Sequence, residues 1–314
     1  DLSSSDRTQD LNKMGIIINK GHCDTHINGA DVVVYSSVVK LNNPEIIAAE
    51  KKQIPVIRRA EMLAELLKVK TTSIAISGTH GKTSTCSMLG SILTAANQNP
   101  TLVIGGIVNK FQSNAISGNG NIIVVEADEF DRSFLTLSPT MGLITNLDLE
   151  HLDCYKNLED LQNAFIQFAN AVPFYGKVAV CIDDEHILNI IKKIKRPLIT
   201  YGINHNAEIY ADGLKYNKRT TTFDVFMKHE LLGSIKINAP GKHNVKNALG
   251  AITLAIELNI SFNDIQLGLN QYNGVRRRFD IKYKLNDNGM IIDDYAHHPA
   301  EVASTIDAIH SGWN

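Results

Sequence analysis

No two cysteines in this chain are spaced as a CxxC pair. Cys23, Cys86, Cys154 and Cys181 are scattered, which argues against a disulfide framework and for reduced thiols in a cytoplasmic protein. Charge of one sign is also lacking. The formal net charge is −2, so there is no bulk attraction to nucleic acid or to an anionic membrane. No apolar run approaches the roughly 20 residues that a bilayer span needs, and the opening residues do not read as a signal peptide. Internal repeats and low-complexity tracts are absent as well. These gaps exclude a disulfide-stapled, membrane-inserted or nucleic-acid-binding protein.

What remains is the composition of a soluble, globular chain, 44% hydrophobic and 20% charged. Its 314 residues exceed one ordinary core, so about two or three domains are expected. The polar opening "DLSSSDRTQDLNKMG" and the stop at "IHSGWN", directly after a helical pattern, predict an internal piece of a longer chain.

Short apolar runs alternate with helical patterns. "DVVVYSS" (31–37) and "IPVI" (54–57) read as buried strands, "NPEIIAAEKK" (43–52) and "AEMLAELLK" (60–68) as helices. Asn43 serves as a cap and Pro44 opens the first helix. Strand and helix in alternation imply a parallel, doubly wound α/β sheet. "TTSIAIS" (71–77) opens a second α/β unit, and Met88, Leu89, Ile92 and Leu93 follow at helical spacing. Further strands are expected at "TLVIGG", "NIIVVEAD", "GLITNLD" and "KVAVCIDD", with an amphipathic helix at 158–170. "TTTFDVFM" (220–227) alternates, and "SIKINAP" follows it. This predicts antiparallel strands appended to a parallel sheet. A long helix is expected at 242–258, then two strands and a helix after a boundary near Phe279. The domains expected are 1–70, 71–279 and 280–314.

Five stretches carry chemistry. "ISGTHGKTS" (76–84) lies between a strand and a helix but has Ile76 where G-x-x-x-x-G-K-[ST] requires glycine. Gly78 and Gly81 let backbone N–H groups approach an anion, and the helix N-terminus adds its dipole. Lys82 then supplies a point charge for the terminal phosphates and Thr83 a hydroxyl for Mg²⁺. The strand "NIIVVEADEFD" ends on Glu126, a carboxylate for the metal, with Asp128, Glu129 and Asp131 behind it. "TNLDLEHLDCY" sets His151 among Asp148, Glu150 and Asp153, a ligand set for a second ion. A lone His is otherwise more often structural. "APGKHNVKNALGA" puts His243, Asn244 and Asn247 at a helix start, to cap it or to read an adenine edge. "GVRRRFD" offers Arg276, Arg277 and Arg278, normally a solvated face but in phosphoryl transfer a partner of the γ-phosphate. "IDDYAHHPAE", with Asp293, Asp294, Tyr295, His297 and His298, reads as a substrate-positioning loop.

In this order these pieces resemble the Mur ligase superfamily of ATP-dependent amide-forming enzymes, whose phosphate loop is G-T-x-G-K-[ST] without the earlier glycine. "GTHGKTS", "EADEFDRSFL", "TNLDLEHLDCY", "APGKHNVKNA", "RRRFD" and "DDYAHHPAEV" carry the likeness, as do "NPEIIAAEKKQIPVIRRAEMLAEL" and "VPFYGKV". It covers essentially the whole chain and is most similar to the branch that joins L-alanine to UDP-N-acetylmuramate. The resemblance implies a Rossmann-like N-terminal domain for UDP, a central P-loop ATPase-type mixed sheet with helices on both faces, and the start of a C-terminal dinucleotide-fold domain. It implies ATP and Mg²⁺, an acyl-phosphate intermediate, and a cytoplasmic monomer or homodimer in peptidoglycan precursor synthesis.

Carried over by position, Gly78, Thr79, His80, Gly81, Lys82, Thr83 and Ser84 bind ATP, with His243, Asn244 at the adenine, Arg278 at the γ-phosphate and Asp294 at the ribose. Lys82, His151 and Arg278 are the catalytic set; Thr83, Glu126 and His151 hold metal; His80, Tyr295, His297 and His298 face the other substrate. The chain departs from the family pattern at Phe130 (usually Ser), Glu150 (Asp), Gly274-Val275-Arg276 (a Gly-Thr-Gly-like run) and Ala296 (Gly). No position matches the carbamylated lysine of other members.

One relative in chemistry and two proteins of other classes compete with this reading. A recycling ligase adding a preformed tripeptide to the same UDP-sugar shares the phosphate loop. A non-catalytic nucleotide-binding fragment would not need Lys82, Thr83, Glu126, His151 and Arg278 together. A P-loop kinase or GTPase should show the glycine that Ile76 replaces.

Overall fold

A computed structural model describes residues 3–148, 154–285 and 289–313. The chain divides into two compact units, residues 1–66 and 67–314.

The first unit is small. It contains α1 (Asp6–Lys13), β1 (Val33–Tyr35), α2 (Pro44–Lys51) and β2 (Val56–Arg58), and α3 (Arg59–Lys68) runs across the division. Strands β1 and β2 pair in parallel, as a strand–helix–strand unit should. The Asn43 side chain caps α2 by accepting the Glu45 N–H, with Pro44 at the first position. Ile46 and Ala49 bury one face of that helix.

The second unit is built on a ten-stranded sheet. Its elements in chain order are β3 (Thr72–Ser77), α4 (Lys82–Ala95), β4 (Thr101–Val108), β5 (Ser113–Ile116), β6 (Ile122–Glu126), β7 (Met141–Ile144), α5 (Leu158–Ala171), β8 (Lys177–Cys181), α6 (Glu185–Ile190), β9 (Leu198–Gly202), β10 (Ile209–Asn217), β11 (Thr220–Met227), β12 (Glu230–Ile237), α7 (Lys242–Glu257) and α8 (Phe262–Asn270). The strand order is β12-β11-β10-β9-β8-β7-β3-β6-β4-β5. Pairing is parallel from β10 through β4. Antiparallel strands finish both edges: β11 and β12 at one, β5 at the other. The expected antiparallel extension is therefore present, and β5 adds a second.

Helices cover both faces. On β7, Gly142 looks toward Phe168 and Val172 at the end of α5, whereas Leu143 meets Gly250 of α7. Helix α4 packs against α7 and α8. Its Met88, Leu89, Ile92 and Leu93 are completely buried, each contributing about 1.5–3 kcal/mol. The same helix buries Thr85 and Ser87, whose hydroxyls donate to the carbonyls of Gly81 and Thr83 one turn back. That satisfaction lets a polar helix start enter the core.

The chain ends in the hairpin β13 (Asp280–Lys284) and β14 (Met290–Asp293), followed by α9 (Pro299–Gly312), which contacts α7 and β10. Among the described residues, no helix is long and apolar enough to cross a membrane.

Candidate functional site

The site forms where the strand order turns back on itself. Strand β3 lies between β6 and β7, so the loops leaving their C-terminal ends splay apart and leave a crevice. The loop 78–81 leaves β3 there and feeds α4. Gly78 (φ 131°) and Gly81 (φ 84°) both occupy backbone conformations that side chains disfavour. Each is also closely approached: a Cβ on Gly78 would lie 2.0 Å from Thr145 Oγ1, and one on Gly81 2.3 Å from Asn247 Oδ1. The first turn of α4 adds N–H groups that have no intrahelical acceptor.

The loop is held in shape from β7. Asn146 Oδ1 accepts the His80 N–H (2.8 Å), and its Nδ2 donates to the His80 carbonyl (2.9 Å). Thr145 Oγ1 donates to the same carbonyl at 2.6 Å. Thr79 Oγ1 accepts the Asp148 N–H (2.8 Å). Thr145 and Asn146 were not singled out from sequence; their position directly past a buried strand was the available signal.

Two polar pairs follow. Lys82 Nζ donates to Glu129 Oε2 (2.7 Å), to the Gly78 carbonyl (2.8 Å) and to the Thr79 carbonyl (3.2 Å). Burial opposes the lysine's charge, but Glu129 and Asp128 outweigh it, and its pKa lies above the ordinary value. Glu129 is 1% exposed; burial pushes it up to about 7 against the pull of Lys82. Glu129 is thus the internal counter-ion of Lys82. In the sequence it was one of several acids after Glu126.

The second pair is Thr83 Oγ1, donating to Glu126 Oε1 at 2.8 Å. Glu126 Oε2 accepts the Gly105 N–H at 2.7 Å, an approach open only because Gly105 has no Cβ. A hydroxyl oxygen and a carboxylate oxygen side by side are the hard oxygen donors that Mg²⁺ prefers. The donor set fits that ion.

Two cavities flank the loop. One, of about 590 Å³, reaches from His80 and Ser84 to His243, Asn244, Lys246 and Asp294. The other, of about 750 Å³, reaches from Lys82 and Glu126 to Gly106, Phe130, Arg276, Tyr295 and His297. Gly81, Thr83, Arg278 and Glu301 line both, so the shared wall is where a group could pass from one to the other.

Burial lowers His243 to about 4, leaving it neutral. Asn244 Nδ2 donates to His243 Nε2 (3.0 Å) and to the Pro240 carbonyl (2.8 Å), and its Oδ1 accepts from Asn247 (3.3 Å). Both amide protons are therefore engaged, and Oδ1 keeps a second lone pair. Asp294 accepts the Phe279 and Ala296 N–H groups, each at 2.8 Å, which fixes the turn after β14.

The C-terminal loop closes the site. Glu301, in the first turn of α9, meets His80 Nδ1 at 3.2 Å and the Arg278 guanidinium at 3.6 Å. Burial would raise its pKa, but His80, Arg278 and the His297 N–H lower it to about 2. Glu301 went unremarked in the sequence, where nothing ties it to a loop 221 residues away. Tyr295 stacks beneath Arg277 and Arg278, His297 lines the second cavity, and His298 caps α9. The structure thus brings together every expected site residue that it describes. His151, with Glu150 and Asp153, lies outside the described residues.

The profile of the Mur ligase middle domain matches residues 76–255, and that of the Mur ligase family catalytic domain residues 1–71. The chain is 46% identical over 313 residues to a UDP-N-acetylmuramate–L-alanine ligase of Syntrophus aciditrophicus, covering 100% of this chain and 65% of that protein. It is 45% identical over 314 residues to the protein of the same name in Geotalea daltonii, covering 100% and 68%. It thus spans about two thirds of the length of these relatives. A crystal structure of UDP-N-acetylmuramate–alanine ligase from Thermotoga maritima superposes with a TM-score of 0.83 at 28% identity, covering 99% of this chain and 70% of that one.

Proposed function

This chain belongs to the Mur ligase family, and from that premise we propose that it is an ATP-dependent ligase joining L-alanine to the carboxylate of UDP-N-acetylmuramate. The observation that carries the reading is that Gly81 and Thr83 of the phosphate loop line both cavities together with Arg278, with Lys82 beside them in the second. The names of relatives about 45% identical over the whole chain supply the substrates.

ATP occupies the cavity of Asn244, His243 and Asp294, with its γ-phosphate at the shared wall. The muramyl carboxylate approaches from the cavity of Gly106 and Phe130, which Tyr295 and His297 line; His80, on the wall of the ATP cavity, and His298 are assigned to it by sequence position. A carboxylate oxygen attacks the γ-phosphorus, the bond to the bridging oxygen breaks, and ADP leaves. The alanine nitrogen then attacks the acyl carbon. The C–O bond to phosphate breaks, phosphate departs with that oxygen, and the nitrogen gives up a proton. A carboxylate is a poor electrophile until phosphate becomes its leaving group.

Lys82 and Arg278 offset the negative charge gathered between the two phosphorus centres. Lys82 can do so by exchanging Glu129 for phosphate oxygens, and the raised pKa of Glu129 eases that exchange by letting it take a proton. Thr83 and Glu126 would hold Mg²⁺, which would supply positive charge to offset that of the phosphates; His151 is assigned to a second ion by its sequence position alone. Closure over the site keeps water from the mixed anhydride. Residues 1–70 are assigned to the UDP part, 71–279 to ATP and 280–314 to the start of the amino-acid domain, in a cytoplasmic protein acting as a monomer or homodimer.

The test is phosphate release from ATP by the full chain with UDP-N-acetylmuramate, offering L-alanine, glycine, L-serine and a murein tripeptide in turn. L-alanine should drive release best. Release driven only by the tripeptide would assign the recycling reaction instead, and none with any amine would leave a nucleotide-binding protein.

A further inference from the structure

We propose that Arg219 is a nucleotide-binding residue whose guanidinium holds the α-phosphate of ATP. The proposal rests on the assignment of ATP to the cavity of Asn244, His243 and Asp294. Arg219 stands in the turn between β10 and β11 and lines that cavity beside Asn238, Tyr272 and Gly274. It lies in none of the stretches that carry the family likeness.

Arg219 is half-buried and its charge is poorly satisfied. A guanidinium has five N–H donors. Here one makes a long hydrogen bond, from Nη2 to the Asn273 carbonyl at 3.4 Å, and Nε is enclosed without a partner. Lys82, Arg278 and Lys282 each have a carboxylate partner, in Glu129, Glu301 and Asp280. Among the described residues Arg219 has none. Asp280 feels its charge but bonds to Lys282 at 2.6 Å instead. A cation drawn out of water without an opposite charge is costly, and an anion in the cavity would remove that cost.

The surroundings of Arg219 select the phosphate. A Cβ on Gly274 would lie 3.1 Å from Arg219 Nη2, so the missing side chain leaves the guanidinium open to the cavity that Gly274 lines. Arg219 also borders a third cavity, with Lys218, Lys282 and Lys284, but Gly274 does not. The Tyr272 hydroxyl, which feels the charge of Arg219, bonds to Ser84 at the start of α4. Asn238 Nδ2 reaches the Tyr272 carbonyl at 3.5 Å, and Pro240 accepts from Asn244 at 2.8 Å. One wall therefore runs from the phosphate loop at Ser84 to the base-reading Asn244, and Arg219 stands on it. Arg219 does not line the second cavity, where Lys82 and Glu126 stand. Lys82, Arg278 and the magnesium position serve the terminal phosphates, which leaves the α-phosphate, next to the ribose, as the one without a cation. Arg219 supplies it.

The test is calorimetric titration of the full chain with adenosine, AMP and ADP, so that binding is read without turnover. Arg219→Gln should weaken AMP and ADP by a similar factor, about 10–100-fold, the worth of one hydrogen bond between charged groups. Adenosine, which has no phosphate, should bind the variant and the parent alike. Arg219→Lys, which keeps the charge, should recover part of the loss for AMP and ADP. Unchanged ADP affinity in Arg219→Gln would overturn the proposal while leaving ATP in its cavity. Adenosine weakened as much as ADP would also overturn it, because the arginine would then act on the base or on the fold. A parent chain that binds no ADP would overturn the assignment of the cavity itself, and this proposal with it.

Discussion

Replacing Glu129 by Gln should change how the stability of the second unit responds to pH. An ordinary glutamate titrates near 4.5, and burial raises Glu129 to about 7. Between those values the folded protein holds a proton that the unfolded chain has released. Stability contributed by the protonated form is therefore complete below about pH 4.5 and is lost as pH rises toward 7. The gap of roughly 2.5 pH units, at about 1.36 kcal/mol each, amounts to about 3 kcal/mol. Asp128 and Glu126 remain beside Lys82 in both proteins and favour its cationic form. A glutamine at position 129 cannot ionise, yet its carbonyl can still accept from Lys82 Nζ. The variant should thus keep the stability that the parent loses, and the difference between them should grow by about 3 kcal/mol between about pH 4.5 and 7. Other titrating groups are common to both proteins and cancel. The assay is urea unfolding at about pH 5, 6 and 7, followed by the fluorescence of Trp313, the single tryptophan, which stacks on Phe279 in the second unit. Stability curves that run parallel over this range would refute the reasoning, because Glu129 would then titrate as an ordinary or a fully paired carboxylate.

Three further outcomes are expected. Lys82→Ala should cut alanine-dependent phosphate release by at least about 10²–10³-fold, while a cooperative unfolding transition survives because Glu129 can take up a proton; retained turnover would remove Lys82 from the phosphate site. Glu126→Ala should raise the magnesium needed for half-maximal rate by about tenfold or more, and an unchanged magnesium titration would take Glu126 out of the metal site. Gly81→Ala forces a side chain into a left-handed position and against Asn247, costing about 1–2 kcal/mol from the backbone alone. Its melting temperature should fall by several degrees and its affinity for ATP should drop, and a variant that matches the parent in both would contradict the close packing of loop and α7.

The parts of this molecule legible in its sequence are those whose signal is local. Asn43-Pro44 announces α2, and the Gly78–Thr83 loop announces the turn from β3 into α4, although that helix begins at Lys82 rather than at the apolar residues from Met88 onward. The parallel strands β3, β6, β7 and β8 read as continuous apolar runs because they are covered on both faces. Strand β5 was invisible because Ser113–Ile116 pairs only with β4 at an edge and is not deeply buried. Strand β10 is interrupted by Gly213 at a register shift, which hides its alternation. Helix α8 has a Ser261 cap but carries a glycine in a nine-residue span. In the site, residue types were legible and partnerships were not. Glu129 lies against Lys82 only because the chain turns back after β6, and Glu301 reaches His80 only through the docking of α9.

In the proposed reaction the muramyl carboxylate is activated by taking the γ-phosphate of ATP. The most direct measurement uses UDP-N-acetylmuramate labelled with ¹⁸O in that carboxylate, turned over with ATP and L-alanine. The released phosphate, analysed by mass spectrometry, should carry one ¹⁸O atom per turnover, handed over when the nitrogen displaces phosphate from the acyl carbon. Phosphate free of label, with amide formed, would contradict the acyl-phosphate route and the assignment of the two cavities to its two substrates.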